Sequence, residues 1–367
     1  MLREMKSNRR EETTEELRVG TEHERVIFRS DSACGYRAII AIHSTAMGPA
    51  VGGTRFWHYP SQDLALVDAL RLSRAMSFKN ALADLPLGGG KSVIIGNTSS
   101  INRAEIFHAH GRFVESLGGK FITAEDVGTT PSDMEYVWEE TRYVAGLPGK
   151  SGDPSPITAL GVFRALQAAA NHRWGSPDLS SRTVVVQGCG KTGYALAREL
   201  HNVGAKLVVS DVNSNQVNRV IEEFEARAVV PEKIFQTPAD IFAPCALGGI
   251  LNDETIPQLQ IEVVVGSANN QLLEARHGDL LHEKGILFVP DYVSNAGGVI
   301  NGCQELLGWS AELCLFKVNA IYDKIISILD LAKANSLPPY RVADQLARKV
   351  LSTAKSVDQR PTESPEA

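Results

Sequence analysis

SRTVVVQGCGKTGYALARELHNVGAKLVVSDVN, residues 181–213, is the stretch whose reading decides the fold. Thr183-Val-Val-Val186 has the β-branched composition of a buried parallel strand. The turn Gly188-Cys189-Gly190-Lys191-Thr192-Gly193 follows at once and opens a helical run over residues 194–200, which Gly204 closes. Leu207-Val-Val209 is a second strand, and Asp211 stands at its end. In such a unit the first glycine makes the tight turn, the second lets backbone approach a pyrophosphate, and the third lets helix and strand pack closely. The helix N-terminus then faces the phosphates. Asp211 lies 23 positions after Gly188, near the spacing of about 20 expected of a carboxylate on the adenosine ribose. It would repel a 2′-phosphate, so NAD is favoured over NADP. A tight strand-to-helix turn without a ligand is the plainer alternative.

Outward from this unit, composition narrows the classes. The chain of 367 residues is 43% hydrophobic and 22% charged, enough for two domains. A net charge of −6 argues against nucleic acid. Residues 1–17 are too charged for a secretory signal, and there is no apolar run of about 18 residues to span a membrane. Cys34, Cys189, Cys245, Cys303 and Cys314 form no CxxC pair, which suits reduced thiols in a cytoplasmic protein. His108 and His110 would point to different sides of a helix, and no metal-ligand spacing occurs.

Along the chain, residues 1–20 read as a frayed or disordered arm. Two strands are expected near 26–28 and 37–42, a helix over 62–79, a strand at 92–95, a helix over 102–117, a strand at 121–122 and a helix over 132–140. Glycines and prolines cluster at 149–156, the expected linker, before a helix at 158–172. Further strands at 241–242, 262–265 and 286–289 complete a doubly wound parallel sheet. The expected fold is therefore α/β with two domains: an N-terminal α/β substrate domain over 21–150 and a Rossmann doubly wound parallel sheet over 151–314. Helices at about 315–352 are expected to return to the first domain, and 353–367 to be a disordered tail.

Candidate chemistry lies in the first half. Lys79 ends a helix, Lys91 follows Gly88-Gly89-Gly90, and Asp126 stands at the exit of a strand. Three glycines leave room for a ligand to approach the Lys91 backbone. A lysine that is desolvated or near another cation loses its proton more readily, as a general base at neutral pH must. Two solvated lysines are the bland alternative. A P-loop is excluded, because Leu85 and Val185 occupy the positions where its first glycine belongs.

Gly48-Pro-Ala-Val-Gly-Gly-Thr-Arg55, Asp68-Ala-Leu-Arg-Leu-Ser-Arg74, Phe78-Lys-Asn80, Leu87-Gly-Gly-Gly-Lys-Ser92, Pro154-Ser-Pro-Ile-Thr158, Ala243-Pro-Cys-Ala-Leu247, Gly266-Ser-Ala-Asn-Asn270 and Asn295-Ala-Gly-Gly298 together resemble the Glu/Leu/Phe/Val amino-acid dehydrogenases, most of all their short leucine, phenylalanine and tryptophan branch. The resemblance covers roughly residues 22 to 352. It implies a homo-oligomer that deaminates an L-amino acid with NAD and water, giving a 2-oxo acid, ammonium and NADH. By the same resemblance Lys79 and Asn270 hold the substrate carboxylate. Lys91 activates water, Asp126 binds the amino group and moves protons, and the Gly52 backbone accepts from that amino group. Thr158, Asn269 and Ala246 line the nicotinamide and its ribose.

Substrate choice is expected to follow Val51, Ala124, Val299 and Gly302. Glutamate dehydrogenases carry a lysine at the position of Val51, where valine would leave a side-chain carboxylate unpaired. Leucine dehydrogenases carry leucine there and valine at the position of Gly302. Both departures enlarge the cavity and tilt it toward a bulky or aromatic side chain, unless Phe56, Trp57 or Cys303 refills the space. Two other readings stay open: a biosynthetic relative with one unusual substrate, and a non-catalytic NAD-binding relative.

Overall fold

The computed structural model describes residues 12–17, 22–99, 102–147 and 149–358. Strands are β1 (Glu12–Leu17), β2 (Arg25–Asp31), β3 (Tyr36–Ser44), β4 (Ala50–Trp57), β5 (Gly88–Ile95), β6 (Phe121–Glu125), β7 (Thr183–Gln187), β8 (Lys206–Ser210), β9 (Arg227–Ala228), β10 (Ile241–Pro244), β11 (Val263–Val264) and β12 (Leu287–Phe288). Helices are α1 (Gln62–Leu82), α2 (Arg103–Glu115), α3 (Pro131–Glu140), α4 (Ser155–Trp174), α5 (Lys191–Asn202), α6 (Ser214–Phe224), α7 (Arg276–Glu283), α8 (Asp291–Ser294), α9 (Gly297–Leu307), α10 (Ala311–Asn319), α11 (Ile321–Asn335) and α12 (Pro339–Asp358). They divide into two compact units. One holds the described residues up to Ser77 together with Pro86–Gly152; the other holds Phe78–Leu85 and the chain from Asp153 on.

In the first unit the strands run β1-β2-β3-β5-β4-β6, antiparallel from β1 to β5 and parallel from β5 through β4 to β6. Alternation gives each face its own core. Val26, Ile39, Val93 and Ile95 pack against Ala65 and Ala69 of α1. Ile40, Ile42, Phe56 and Ile94 face Phe107 and Phe113 of α2 and Met134 and Val137 of α3. Helix α3 starts at a capping box formed by Thr130 and Asp133, which satisfies two otherwise orphaned donors.

The second unit carries the all-parallel order β12-β11-β10-β7-β8-β9, in which β7 and β10 flank the switch point of a doubly wound sheet. Val185, Val208, Phe242, Val264 and Phe288 share a core with Leu251, Ile256 and Leu281. Helix α4 packs along α5, α9 and α11. Among the described residues no helix is long and apolar enough to cross a membrane.

Four expectations differ from what is found. Residues 12–17, placed in a frayed arm, form β1, an edge strand paired to β2 over its whole length. Backbone pairing, the Thr13–Ser30 hydroxyl contact and the Arg25–Glu16 ion pair hold it without any apolar face; the remainder of that arm lies outside the described residues. The helices of 315–352 belong to the second unit instead of returning to the first domain, because α11 finds its neighbour in α4. Residues 353–358, placed in a disordered tail, continue α12, and the rest of the tail lies outside the described residues. Finally, β4 was not anticipated, and Gly88–Gly90 belong to β5.

Candidate active site

The first unit brings Lys91, Val51, Gly52 and Ala124 onto three neighbouring strands, with Asp126 just beyond the last of them. Parallel pairing aligns Val51 with Gly89 on one side and with Ile122 on the other, and Gly53 with Ala124. Thr54, Ser92 and Thr123 meet on the face covered by α2 and α3, where Thr54 Oγ1 lies 2.5 Å from both Ser92 Oγ and Thr123 Oγ1. His110 joins them through Nε2, 2.9 Å from Thr54 Oγ1, and hydrogen-bonds Tyr36 through Nδ1 at 2.8 Å. Burial pushes this imidazole down to about 3, so it is neutral. Alternation then sends Val51, Arg55, Lys91, Ala124 and Asp126 to the opposite face.

On that face the buried Lys91 Nζ donates to Asp126 Oδ2 at 2.6 Å. Burial lowers the Lys91 amine below the ordinary lysine range; Asp126 opposes this and Arg55 reinforces it. Burial alone would raise the Asp126 carboxyl, yet Lys91 and Arg55 outweigh it and hold the group at about 2. The Asp126 amide donates to Thr129 Oγ1 at 2.8 Å, fixing the turn that presents the carboxylate.

The room expected beside Lys91 is absent. A Cβ on Gly89 would lie 2.0 Å from Ser77 N, and one on Gly90 2.7 Å from the Phe121 ring, so these glycines admit protein rather than a ligand. A Cβ on Gly52 would likewise lie 1.8 Å from Gly90 O.

The second unit holds the other candidates. Lys79, near the end of α1, belongs to it and donates to Asn269 Oδ1 at 3.4 Å. Asn295 Nδ2 donates to that oxygen at 2.8 Å. Asn270 sits at a positive φ of 51° and its amide donates to the buried Asp291 Oδ2 at 2.9 Å. Burial raises the Asp291 carboxyl, opposed by the Asn270 amide and Lys79. Val299 and Gly302 lie on α9, and a Cβ on Gly302 would meet only Leu306 Cδ1 at 3.9 Å. Of the residues that could refill such space, Phe56 is spent on Phe107 across the α2-covered face, Cys303 is fully buried, and Trp57 is half exposed.

Each glycine of the 188–193 turn has a distinct surrounding. Gly188 adopts φ 98° with Ala246 so close that a Cβ would lie 2.9 Å from its amide. Gly193 passes Gly188 O where a Cβ would lie 1.9 Å away. Gly190 opens outward, with nothing nearer than Gln216 Oε1 at 4.0 Å, the cradle a pyrophosphate needs at the start of α5. Asp211 Oδ2 accepts from Cys189 N at 2.7 Å and Oδ1 from Asn213 N at 2.8 Å. Lys191 and Thr192 lie in the first turn of α5, the lysine side chain 3.7 Å from Asp153. Thr158 Oγ1, on α4, donates to Pro154 O at 2.8 Å and would lie 2.9 Å from a Cβ on Gly298.

Comparison with known proteins settles the lineage. Residues 23–143 match the Glu/Leu/Phe/Val dehydrogenase, dimerisation domain, and residues 211–335 match Glutamate/Leucine/Phenylalanine/Valine dehydrogenase. The chain is 52% identical to leucine dehydrogenase of Geobacillus stearothermophilus, over 91% of its length and 92% of the relative's. The chain belongs to the Glu/Leu/Phe/Val dehydrogenase family. This dehydrogenase is also 46% identical to valine dehydrogenase of Streptomyces coelicolor, over 91% of its length and 93% of that relative's. Its fold superposes on the crystal structure of L-tryptophan dehydrogenase from Nostoc punctiforme with a TM-score of 0.77 and 44% identity, covering 91% of this chain and 97% of that one.

Arg55, beside the Lys91–Asp126 pair, received no role from the sequence. Arg55 donates from Nε to Asp126 Oδ2 at 3.2 Å and from Nη1 to Asp68 Oδ2 at 2.8 Å. The signal was available: a guanidinium within a strand otherwise built of small and apolar residues and one threonine needs buried anions.

Proposed function

We propose that this dehydrogenase catalyses the reversible, NAD-dependent oxidative deamination of an apolar L-amino acid: amino acid, NAD and water give the 2-oxo acid, ammonium, NADH and a proton. The supporting observation is the buried Lys91 amine 2.6 Å from an ionised Asp126, with the apolar Val51 on the same sheet face. Lys79 and Asn270 bind the substrate carboxylate. Asp126 and the Gly52 carbonyl accept from the amino group, which sets Cα for hydride loss. Neutral Lys91 then takes a proton from the water that attacks the iminium carbon, and Asp126 carries protons to the departing ammonia. The choice of side chain is assigned to Val51, Ala124, Val299 and Gly302, and the openness at Gly302 favours a bulky one.

NAD supplies the hydride acceptor. The turn Gly188, Cys189, Gly190, Lys191, Thr192 and Gly193 would hold its pyrophosphate, Asp211 its ribose hydroxyls, and Thr158, Ala246 and Asn269 its nicotinamide side. The five cysteines, all free thiols, suit a cytoplasmic setting, and the match of residues 23–143 to a dimerisation domain supports a homo-oligomer. A panel of L-amino acids with NAD, followed at the NADH absorbance band, tests the reading. Apolar substrates are expected to lead; a preference for glutamate overturns the Val51 assignment, and no turnover with any amino acid overturns the whole.

A further inference from the structure

Arg55 is gripped from two sides, by Asp126 just after β6 and by Asp68 of α1. Tyr59 in turn fixes Asp68, its O–H donating to the same Asp68 Oδ2 at 2.5 Å. The guanidinium is largely buried, its side chain 18% exposed. An ammonium would serve one of these carboxylates as a point charge, whereas the planar fork spans both.

We propose that Arg55 is a positioning residue for this dehydrogenation: clamped by Asp68, it is the standing cation on Asp126 Oδ2, so the carboxylate keeps a counter-charge while Lys91 gives up and regains its proton. This rests on the base role given to Lys91 above. Without Arg55, Lys91 would be the cation that Asp126 depends on, and since giving up its proton would leave a buried carboxylate uncompensated, the amine would hold that proton harder. Arginine keeps its charge at every working pH, so Asp126 retains a cation when the amine is neutral. As a like charge, Arg55 also disfavours the ammonium form of Lys91. The other groups bearing on the pair are Asp68, Tyr59 and His110. Asp68 is the counter-ion of Arg55, burial pushes the Tyr59 phenol up, and His110 beneath the sheet is neutral.

The test reads Lys91 directly. Competitive acetylation with acetic anhydride across pH, with the Lys91 peptide quantified by mass spectrometry, gives the midpoint at which its amine becomes nucleophilic, whether or not the enzyme turns over. In R55Q this midpoint rises by about one pH unit, and the acid limb of kcat/KM moves with it. R55Q/D68N removes both charges together, which a partly buried site tolerates better than one orphaned carboxylate, and raises the midpoint in the same direction. A role in packing alone would lower Tm while leaving the midpoint in place. An unmoved or lowered midpoint in either variant that folds overturns the proposal. A raised midpoint in a protein that forms no NADH with any amino acid upholds the hold of Arg55 on the pair and overturns the reaction assigned to Lys91.

Discussion

Arg55 Nε and Lys91 Nζ converge on one oxygen atom, Asp126 Oδ2, at 3.2 and 2.6 Å. Two cations on one carboxylate leave the lysine as the group able to release a proton, so kcat/KM is expected to rise as Lys91 deprotonates, at a pH below the ordinary lysine value of about 10.4. Lys91→Ala is expected to lower kcat by about 10²–10⁴-fold, the usual worth of a general base, with NADH affinity by fluorescence titration nearly unchanged. Residual activity near that of the unaltered protein would exclude Lys91 as the base.

The neutral His110 makes the fold acid-sensitive. Its folded value of about 3 lies below the unfolded 6.5, so the unfolded chain binds one more proton throughout that window. Stability therefore falls as pH drops from about 6.5 toward 3, by about 1.4 kcal/mol per unit. His110→Gln is expected to be less stable at pH 7, having lost ring contacts to Tyr36 and Thr54, yet to lose less between pH 6.5 and 5 in urea melts. Asp126 does not confuse that comparison: its depressed carboxyl contributes stability above the ordinary 3.8, lost only as pH falls toward about 2.

Gly302 offers the plainest test of side-chain choice. A side chain there meets only Leu306 at 3.9 Å, so Gly302→Val is expected to fold normally. It should lower kcat/KM for tryptophan relative to leucine by about 10-fold or more, corresponding to 1–3 kcal/mol of pocket shape. An unchanged ratio would remove Gly302 from the pocket wall.

Two glycines of the dinucleotide turn should fail differently. Gly193→Ala sets a Cβ about 1.9 Å from Gly188 O and is expected to lower Tm as well as NADH binding. Gly190→Ala meets nothing within the fold, so Tm should hold while NADH affinity falls by about 10-fold, the cost of roughly 1.4 kcal/mol at the pyrophosphate. Equal losses of Tm in both would show that Gly190 serves packing.

Residues 181–213 were legible because every signal in them is local: a β-branched run, a glycine turn, a helical stripe and a terminal acid. Lys91 and Asp126 were legible as residue types, while their contact, made across 35 positions, follows from strand order. Strand β4 was opaque because Gly52-Gly53 and Arg55 break the apolar alternation, and each is explained only by a neighbour distant in sequence: Gly90 O beside Gly52, Glu125 O beside Gly53, and two carboxylates on Arg55. The destination of α11 was hidden for a similar reason, since an amphipathic helix states that it has a partner and not which one. The edge strand β1 carries almost no apolar residues, so nothing in its pattern distinguishes it from solvated chain.

Asp211 is tied into the turn that it flanks, its two oxygens taken by the amides of Cys189 and Asn213. Retooling the protein for a phosphorylated coenzyme by swapping this acid for a small neutral residue would therefore unfasten a backbone latch while removing a repulsion. A redesign has to return an acceptor to Cys189 N, as asparagine would, before any arginine added nearby can be judged on its own merit.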